Sequence, residues 1–134
     1  MTTLDLKYLA FFVPVKLVNE KNARDPHWSA RSKRAKLHRD ATTYAVHQAL
    51  NSDRTADWKI EAPPSQPKRI HISANVFNLF DSHDGLRAAC SHIVDGLMDA
   101  RLIQDDADRH GHEITYEQHI DRGNLGALVT VTLA

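Results

Sequence analysis

The most constraining feature of this chain is the pattern across residues 70 to 101, where a two-residue repeat is followed directly by a three-to-four-residue repeat. The even-numbered residues from Ile70 to Val76 are apolar and the odd-numbered ones are polar, which is typical of a half-buried strand. From Asp84 to about Arg101 the apolar residues recur at the spacing of an amphipathic helix. These are Leu86, Ala89, Cys90, Ile93, Val94 and Leu97.

The other segments extend this pair to the order β-α-β-α-β-β. Residues 4 to 13 predict a strand that Pro14 ends, and residues 30 to 50 predict a helix with Ser29 as its N-cap. Residues 113 to 133 predict a terminal hairpin around the turn-forming sequence DRGN, with Val129, Val131 and Leu133 facing the core. The side of the first helix predicted to be buried consists of Leu37, Ala41, Tyr44, Ala45 and Leu50.

This order predicts an α+β fold with a small mixed sheet and two main helices packed on one face. Residues 51 to 68 contain three prolines and predict a connecting loop rather than a domain boundary. At 134 residues, we expect one domain spanning residues 1 to 134.

The composition predicts a cytoplasmic protein. The single Cys90 excludes an internal disulfide framework and suits a reducing compartment. The N-terminal apolar run LAFFVPV is too short for a signal peptide or a membrane span. No Gly-rich phosphate loop or dinucleotide fingerprint occurs, so no nucleotide cofactor is expected.

The net charge of zero conceals two oppositely charged segments. Between residues 21 and 39 one acid, Asp25, faces seven cations: Lys21, Arg24, Arg31, Lys33, Arg34, Lys36 and Arg39. Between residues 81 and 121 there are ten acids. The first segment is suited to contacting nucleic-acid phosphates, or it is a solvated helix face; the second contains candidate ligands for a divalent cation.

The candidate metal ligands form three groups: Asp81 with Asp84, Asp95 with Asp99, and Asp105 with Asp106. Mg²⁺ needs only a few carboxylates, but Asp95 lies about 16 Å along a helix from Asp84, which indicates a structural role. A helix from 84 to 101 would also be about 25 Å long, and the four or five extended residues after it would return at most about 16 Å, so the same chain would struggle to bring Asp106 back beside Asp84. Either the helix ends early, or the two groups come from different subunits; helix caps on a solvated acidic surface are the alternative.

The nine histidines do not form a recognisable zinc motif, because HGHEITYEQH lacks the HExxH spacing and no cysteine pair is available. His83, within the acidic turn, is either a proton-transfer group or an exposed turn residue. Cys90 lies on the apolar side of the predicted helix, so we expect it in the core.

The stretch HDGLRAACSHIVDGLMDARLIQDD resembles the signature of the RusA-like crossover-junction endodeoxyribonucleases, a family often carried by phages and prophages. In that family D-x-D-N-L opens a helix, D-G or D-A-L lies within it, and D-D follows it. The N-terminal strand, the loop with asparagine, the basic helix and the closing segments YEQ and GALVTVTL are also similar, so the resemblance covers nearly the whole chain.

The resemblance implies a homodimeric hydrolase that binds branched DNA and cleaves Holliday junctions with Mg²⁺, or with Mn²⁺ in its place, in DNA recombination and repair. It assigns Asp84 and Asp106 as metal ligands and catalytic residues, with Asp105 beside them. Ser82 replaces the first carboxylate, Gly85 replaces the asparagine, and the early lysine has no counterpart. Asp81 and Arg87 are the expected substitutes for the missing carboxylate and cation.

The sequence therefore predicts a Mg²⁺-dependent, structure-selective endonuclease whose cationic segment and Arg87 contact DNA. The alternative from the same resemblance is a degenerate relative that binds branched DNA without cutting it. A small interaction protein with no nucleic-acid role is a third reading, which predicts negligible DNA affinity even at low salt.

Overall fold

The computed structural model describes residues 8–19, 28–51, 58, 62–104 and 111–133. Seven elements lie in these ranges, in the order β1 Tyr8–Val13, α1 Trp28–Leu50, β2 Lys68–Val76, α2 His83–Ala89, α3 Ser91–Asp99, β3 Glu113–Ile120 and β4 Gly126–Leu133. The predicted α+β class is confirmed. Lys21, Arg24, Asp105 and Asp106 lie outside the described residues.

The four strands form one mixed sheet in the order β1-β4-β2-β3. β4 is antiparallel to both β1 and β2, whereas β2 and β3 are parallel. The parallel pair is joined by α2 and α3, because parallel strands need a crossover connection. Since β2 and β3 run in the same direction, their C-terminal ends lie at the same end of the sheet.

The predicted alternation in β2 is confirmed, since Ile70, Ile72, Ala74 and Val76 are all buried. They belong to one hydrophobic cluster with the inner residues of β1 and β4 and with the six apolar residues predicted for the second helix. Cys90 is among those six, and burial raises the pKa of its thiol to about 12. Cys90 is therefore a core residue, as predicted, and not a nucleophile.

The predicted helix from 84 to 101 is instead two helices that meet at Cys90, whose backbone has φ −94° and ψ 0°. α3 ends in a Schellman motif, in which the Leu102 N–H donates to Leu97 O and the Arg101 N–H donates to Met98 O, each at 3.0 Å. Arg101 adopts the left-handed conformation, with φ 65°, and Leu102 is buried behind it. The chain therefore turns sharply after α3.

One prediction for α1 is wrong and another holds only in part. The helix begins at Trp28, so Ser29 lies inside it and is not its N-cap. Of the predicted buried side, Ala45 is buried and Ala41 and Leu50 pack against the core. Leu37 and Tyr44, however, are 60% and 66% exposed, and residues that were not predicted, namely His38, Thr42 and Val46, are buried.

The packing of α1 against α3 explains why a different side of α1 is buried. Gly96 packs against Thr42 so closely that a Cβ on Gly96 would lie 2.6 Å from the Thr42 Cβ. Small side chains bring these helices together, so the small and polar side of α1 faces α3.

The predicted terminal hairpin is also wrong, because β3 and β4 are not neighbours. β4 pairs with β1 and β2 in the interior of the sheet, where Ala127, Val129 and Val131 are fully buried. β3 pairs with β2 alone and forms an edge of the described sheet. The helices found in the described ranges include none long and apolar enough to cross a membrane.

Candidate functional site

The sequence-predicted carboxylates Asp81 and Asp84 lie beyond the C-terminal end of β2. We call residues 77 to 84, which lead from β2 into the first turn of α2, the acidic loop. In open α/β sheets, ligands bind outside the carboxyl ends of the strands, and here the ends of β2 and β3 are adjacent. The acidic loop therefore has the position expected of a binding loop.

Side chains from β3 and the turn after it hold the acidic loop in place. Oε1 of Gln118 accepts from the Phe80 N–H at 2.9 Å, and Nε2 of Gln118 donates to Phe80 O at 3.2 Å. Arg122 Nε donates to Phe77 O at 2.9 Å, and its guanidinium carbon lies 4.6 Å from the centroid of the Phe77 ring. These contacts restrain the backbone of the loop, and none of them involves the carboxylates of Asp81 and Asp84.

Ser82 is the N-cap of α2. Its backbone is extended, with φ −140° and ψ 160°, and its Oγ accepts from the Gly85 N–H at 3.0 Å. Asp84 lies in the first turn, where the helix dipole favours a negative charge. Ser82, which stands where the resembling RusA-like signature has its first carboxylate, therefore uses its hydroxyl to cap the N-terminus of α2.

The acidic loop and the adjacent turn contain acids that form no ion pair with any described residue. Five other acids of the described ranges contact a lysine, an arginine or a histidine, namely Asp40, Asp95, Asp99, Glu113 and Glu117. Asp81, Asp84 and Asp121 form no ion pair with any described residue and are exposed. Asp121 follows directly on β3, and its N–H donates to Val76 O at 3.1 Å, so it lies at the same end of the sheet.

A cation and an aromatic ring accompany the acids. Arg87 is three residues after Asp84, so the two share a side of α2. The guanidinium carbon of Arg87 lies 6.0 Å from the centroid of the Tyr116 ring, and the His83 ring meets the same ring edge-on at 5.9 Å. Tyr116 thus supports the side of α2 that carries the predicted cation and His83.

Gln104 and Gly111, which flank the segment containing Asp105 and Asp106, lie toward the other end of the β2–β3 pair. The Gln104 N–H donates to Pro64 O at 3.1 Å, in the loop before β2. The buried Lys68 holds this loop, because its Nζ donates to Pro63 O at 2.7 Å and to Gln66 O at 2.9 Å.

Two hydrogen bonds, one near each end of β3, show how far the loop before β2 lies from the acidic loop. The Lys68 N–H donates to His112 Nδ1, and Phe80 is held by Gln118. His112 and Gln118 are six residues apart, about 20 Å in a strand. Gln104 and Phe80 therefore lie near opposite ends of the β2–β3 pair, and Asp105 and Asp106 lie outside the described residues.

The described part of the basic segment is the first half of α1, where Arg39 and Lys36 each pair with an acid. Arg39 donates from Nε and Nη2 to the two carboxylate oxygens of Asp99, at 2.8 and 2.9 Å. Lys36 Nζ donates to Asp40 at 2.7 Å. Lys33 is exposed and forms no ion pair with a described residue; Arg31 is exposed and Arg34 half-buried.

The Arg39–Asp99 pair joins two helices. Its hydrogen bonds raise the pKa of Arg39 and lower the pKa of Asp99, since each group favours the charged form of the other. The predicted phosphate contact therefore has a structural partner 60 residues away. Lys36 and Asp40 are 78% and 64% exposed, so that pair can exchange for a phosphate at little cost.

The acidic loop fits a hard cation in its chemistry but not in ligand count. Its two carboxylates are exposed oxygen donors that form no ion pair with a described residue, which suits Mg²⁺. Across the described ranges, however, no group of three or more His, Cys, Asp or Glu side chains is arranged to hold a metal ion. The loop therefore supplies at most two protein ligands, a number with which Mg²⁺ commonly binds while keeping several waters.

Three residues of this site were not predicted from the sequence: Gln118 and Arg122, which hold the loop, and Asp121. The available signal for Asp121 was its place directly after a strand parallel to β2, but the predicted hairpin placed β3 elsewhere. Gln118 acts on a residue 38 positions away, and no local pattern encodes that contact.

Comparison with known proteins does not assign a family or a function to this chain. No model of a known protein family matches this chain, and no curated protein is significantly similar to it. The assignment of function therefore rests on the residues and their arrangement.

Proposed function

We propose that this protein is a Mg²⁺-dependent, structure-selective endodeoxyribonuclease that acts as a homodimer on Holliday junctions or related branched DNA. The observation that carries the proposal is the acidic loop at the C-terminal end of a parallel strand pair. Its restrained backbone presents two exposed carboxylates that pair with no cation of the described ranges. The motif order that resembles the RusA-like family supports the same reading.

In this proposal Asp81 and Asp84 hold the metal ion. When bound, Mg²⁺ supplies Lewis-acid stabilisation of phosphate charge and an activated water. Asp105 and Asp106, which lie outside the described residues, remain predictions that the resemblance supports.

The cations have two roles. Arg87, one turn after Asp84, orients the phosphate beside the carboxylates. Arg31, Lys33 and Arg34 contact the DNA backbone, and Lys36 joins them by exchanging its pair with Asp40; Lys21 and Arg24 are assigned the same role from the sequence. Because these contacts are to phosphates, affinity should fall steeply with salt and follow the shape of the DNA rather than its sequence.

One observation favours a second candidate, a protein that binds branched DNA without cutting it. Ser82 occupies the position of the family's first carboxylate, and its hydroxyl is engaged at the helix end. With only Asp81 and Asp84 as carboxylates on the loop itself, metal affinity would be reduced while the cationic surface remained.

Incubation of the purified protein with a four-way junction and with a linear duplex of the same sequence, each with Mg²⁺ or with EDTA, separates these candidates. We expect cleavage of the junction only, and only with Mg²⁺. Junction binding without cleavage in either condition would establish the second candidate. Equal and negligible binding of both DNAs at low salt would reject both.

A further inference from the structure

A hydrogen-bonded row of polar side chains crosses β2 and β3 on the outer face of the sheet. Side chains alternate between the two faces of a strand, so His71 lies on the face opposite the buried Ile70 and Ile72. In the register of the parallel pair, His71 stands directly opposite Thr115. Its Nδ1 lies 2.7 Å from Thr115 Oγ1, and its Nε2 lies 2.8 Å from Glu117 Oε1. One imidazole therefore joins a hydroxyl to a carboxylate.

The carboxylate determines where the protons of this row lie. The pKa of Glu117 is lowered, first of all by the hydrogen bond from His71, and an ionised carboxylate can only accept hydrogen bonds. The ring of His71 must therefore donate from Nε2. A neutral imidazole with its proton on Nε2 accepts at Nδ1, so the Thr115 hydroxyl donates to that nitrogen.

Glu117 is also held from its other side. Its Oε2 lies 3.6 Å from His119 Nε2. A hydrogen bond from Ser73, its cross-strand partner, is among the causes of its lowered pKa, and the same Ser73 Oγ lies 3.2 Å from His119 Nε2. These contacts hold the carboxylate in the position from which it orients His71.

The row is open to small molecules. Thr115 is exposed, and the side chains of His71 and Glu117 are 43% and 48% exposed. A reagent can therefore reach the Thr115 hydroxyl without any opening of the fold.

We infer that Thr115 is an acyl-accepting site, in which His71 activates the hydroxyl as a general base and Glu117 positions the imidazole. A nucleophile within hydrogen-bond reach of a base, which a third group orients, is the arrangement expected of an activated hydroxyl. Both hydrogen bonds through His71 are short enough for proton transfer.

The reaction consists of an acylation and a hydrolysis. In the first step, Thr115 Oγ1 forms a bond to the acyl carbon of an ester while its proton passes to His71 Nδ1. The bond between the acyl carbon and the leaving oxygen then breaks, and His71 returns the proton to that oxygen. In the second step, His71 takes a proton from water, which attacks the acyl carbon, releases the acid and restores the Thr115 hydroxyl. The two steps consume only the ester and water.

The openness of this face determines the class of ester. Water solvates the oxyanion of the tetrahedral intermediate here, and it stabilises that charge less than preorganised donors do. The leaving group must therefore be a good one. Activated carboxylic esters are the expected acyl donors, whereas amides and the phosphodiesters of DNA should not react at Thr115.

This site does not rest on the proposed nuclease function. Thr115 lies five residues before Ile120, the last residue of β3, and so about 17 Å from the end of the strand that adjoins the acidic loop. Because no step uses a metal ion, acylation of Thr115 should be the same with EDTA and with Mg²⁺. Failure of DNA cleavage would leave the acylation testable, and failure of acylation would leave the cleavage assay unaffected.

Incubation of the full chain with p-nitrophenyl acetate, followed by peptide mass spectrometry, tests the inference. Thr130 is the matched control within the same molecule, because it stands opposite His71 on β4 as Thr115 does on β3. Trypsin places the two threonines on different peptides, since Arg122 lies between them. We expect Thr115 to be acetylated at least about 100-fold faster than Thr130.

Variants on the exposed face separate the roles of the three residues. Thr115→Val should remove the acetyl group from that position, and His71→Gln should slow acetylation of Thr115 about 100-fold. Glu117→Gln should slow it about tenfold, because the imidazole loses its orienting acceptor. NMR of the imidazole nitrogens provides a second readout, in which the proton of His71 lies on Nε2 in the parent and loses that preference in Glu117→Gln.

Three results would overturn the inference. They are acetylation of Thr115 no faster than that of Thr130 in the parent, acetylation of Thr115 in His71→Gln at the parental rate, and a proton on Nδ1 of neutral His71 in the parent. The first comparison uses the unaltered chain, so it does not depend on how any variant folds.

Discussion

The acidic loop and the basic half of α1 have opposite charges, and they differ also in how those charges are engaged. In the loop, the backbone is held by Gln118 and Arg122, while Asp81 and Asp84 keep no ion-pair partner among the described residues. In α1, Lys36 and Arg39 are paired with Asp40 and Asp99. A charge that is visible in the sequence is therefore not always available to a ligand.

The two regions are also held in place by different kinds of contact. The acidic loop depends on side-chain contacts to backbone groups, whereas α1 depends on close packing against α3 and on one bidentate pair. Changes at the α1–α3 contact should therefore affect stability and DNA affinity, and changes at Gln118 should affect cleavage.

The largest expected effect on stability comes from Gly96→Ala. The new Cβ would lie 2.6 Å from the Thr42 Cβ and 3.0 Å from Arg39 O, and neither is the end of a flexible side chain. We expect a loss of about 3 kcal/mol in the free energy of unfolding, measured by urea denaturation. Gly123→Ala is the control, because its nearest atom is 4.0 Å away; equal losses in both variants would contradict the close packing of α1 on α3.

Gln118→Ala tests whether the loop must be fixed to function. It removes both hydrogen bonds to Phe80 and should cost about 1–2 kcal/mol of stability. Cleavage of a four-way junction should fall about 10–100-fold, because the carboxylates lose their position. Gln66→Ala, whose backbone rather than side chain contacts Lys68, should do neither; unchanged cleavage by the Gln118 variant would argue against a positioning role.

Lys33→Ala and Arg39→Ala distinguish an available cation from an engaged one. Lys33→Ala should leave the free energy of unfolding unchanged while reducing the salt dependence of DNA binding by about one phosphate contact. Arg39→Ala should cost about 0.5–1 kcal/mol of stability, since the pair it breaks is partly exposed. Fluorescence-anisotropy titrations at several salt concentrations and urea denaturation provide the two readouts, and the reverse pattern would show that Arg39 is the DNA contact.

The smallest expected effect is the change with pH in the contribution of the Arg39–Asp99 pair to the free energy of unfolding. The pKa of Asp99 is lowered in the folded protein, so the pair's contribution is present above the unfolded pKa of about 3.9 and is lost as pH falls below it. Because both side chains are more than a third exposed, the contribution of the pair to the free energy of unfolding should be under about 1 kcal/mol. Asp99→Asn should therefore lose less stability at pH 3 than at pH 7; equal losses at both pH values would reject this linkage.

Periodicity predicted the parts of the fold in which one face is strongly apolar. The alternation in β2 and the helical repeat from Leu86 to Leu97 identified buried residues correctly, because burial of those faces outweighs other local preferences. The break at Cys90 was missed because apolar spacing continues through it.

The failures concern contacts between segments distant in sequence. The hairpin prediction assumed that consecutive strands pair, but the alternation in β3 suits any neighbouring strand equally well. The buried side of α1 was predicted from its apolar residues alone, and this wrongly included Leu37 and Tyr44, whereas the close contact of Gly96 with Thr42 buries a side of the helix that contains His38 and Thr42. For the candidate site, the sequence identified Asp81 and Asp84, but the exposure of their carboxylates and the fixation of the loop depend on β3.

Single-turnover cleavage of a four-way junction by Asp84→Asn tests the central claim most directly. The account predicts that Mg²⁺-dependent cleavage falls at least about 1,000-fold, while junction binding is unchanged or tighter because one repulsive charge is removed. Asp40→Asn, the same change on α1, should cleave at the parental rate. Cleavage by Asp84→Asn at the rate of the parent and of Asp40→Asn would contradict the account.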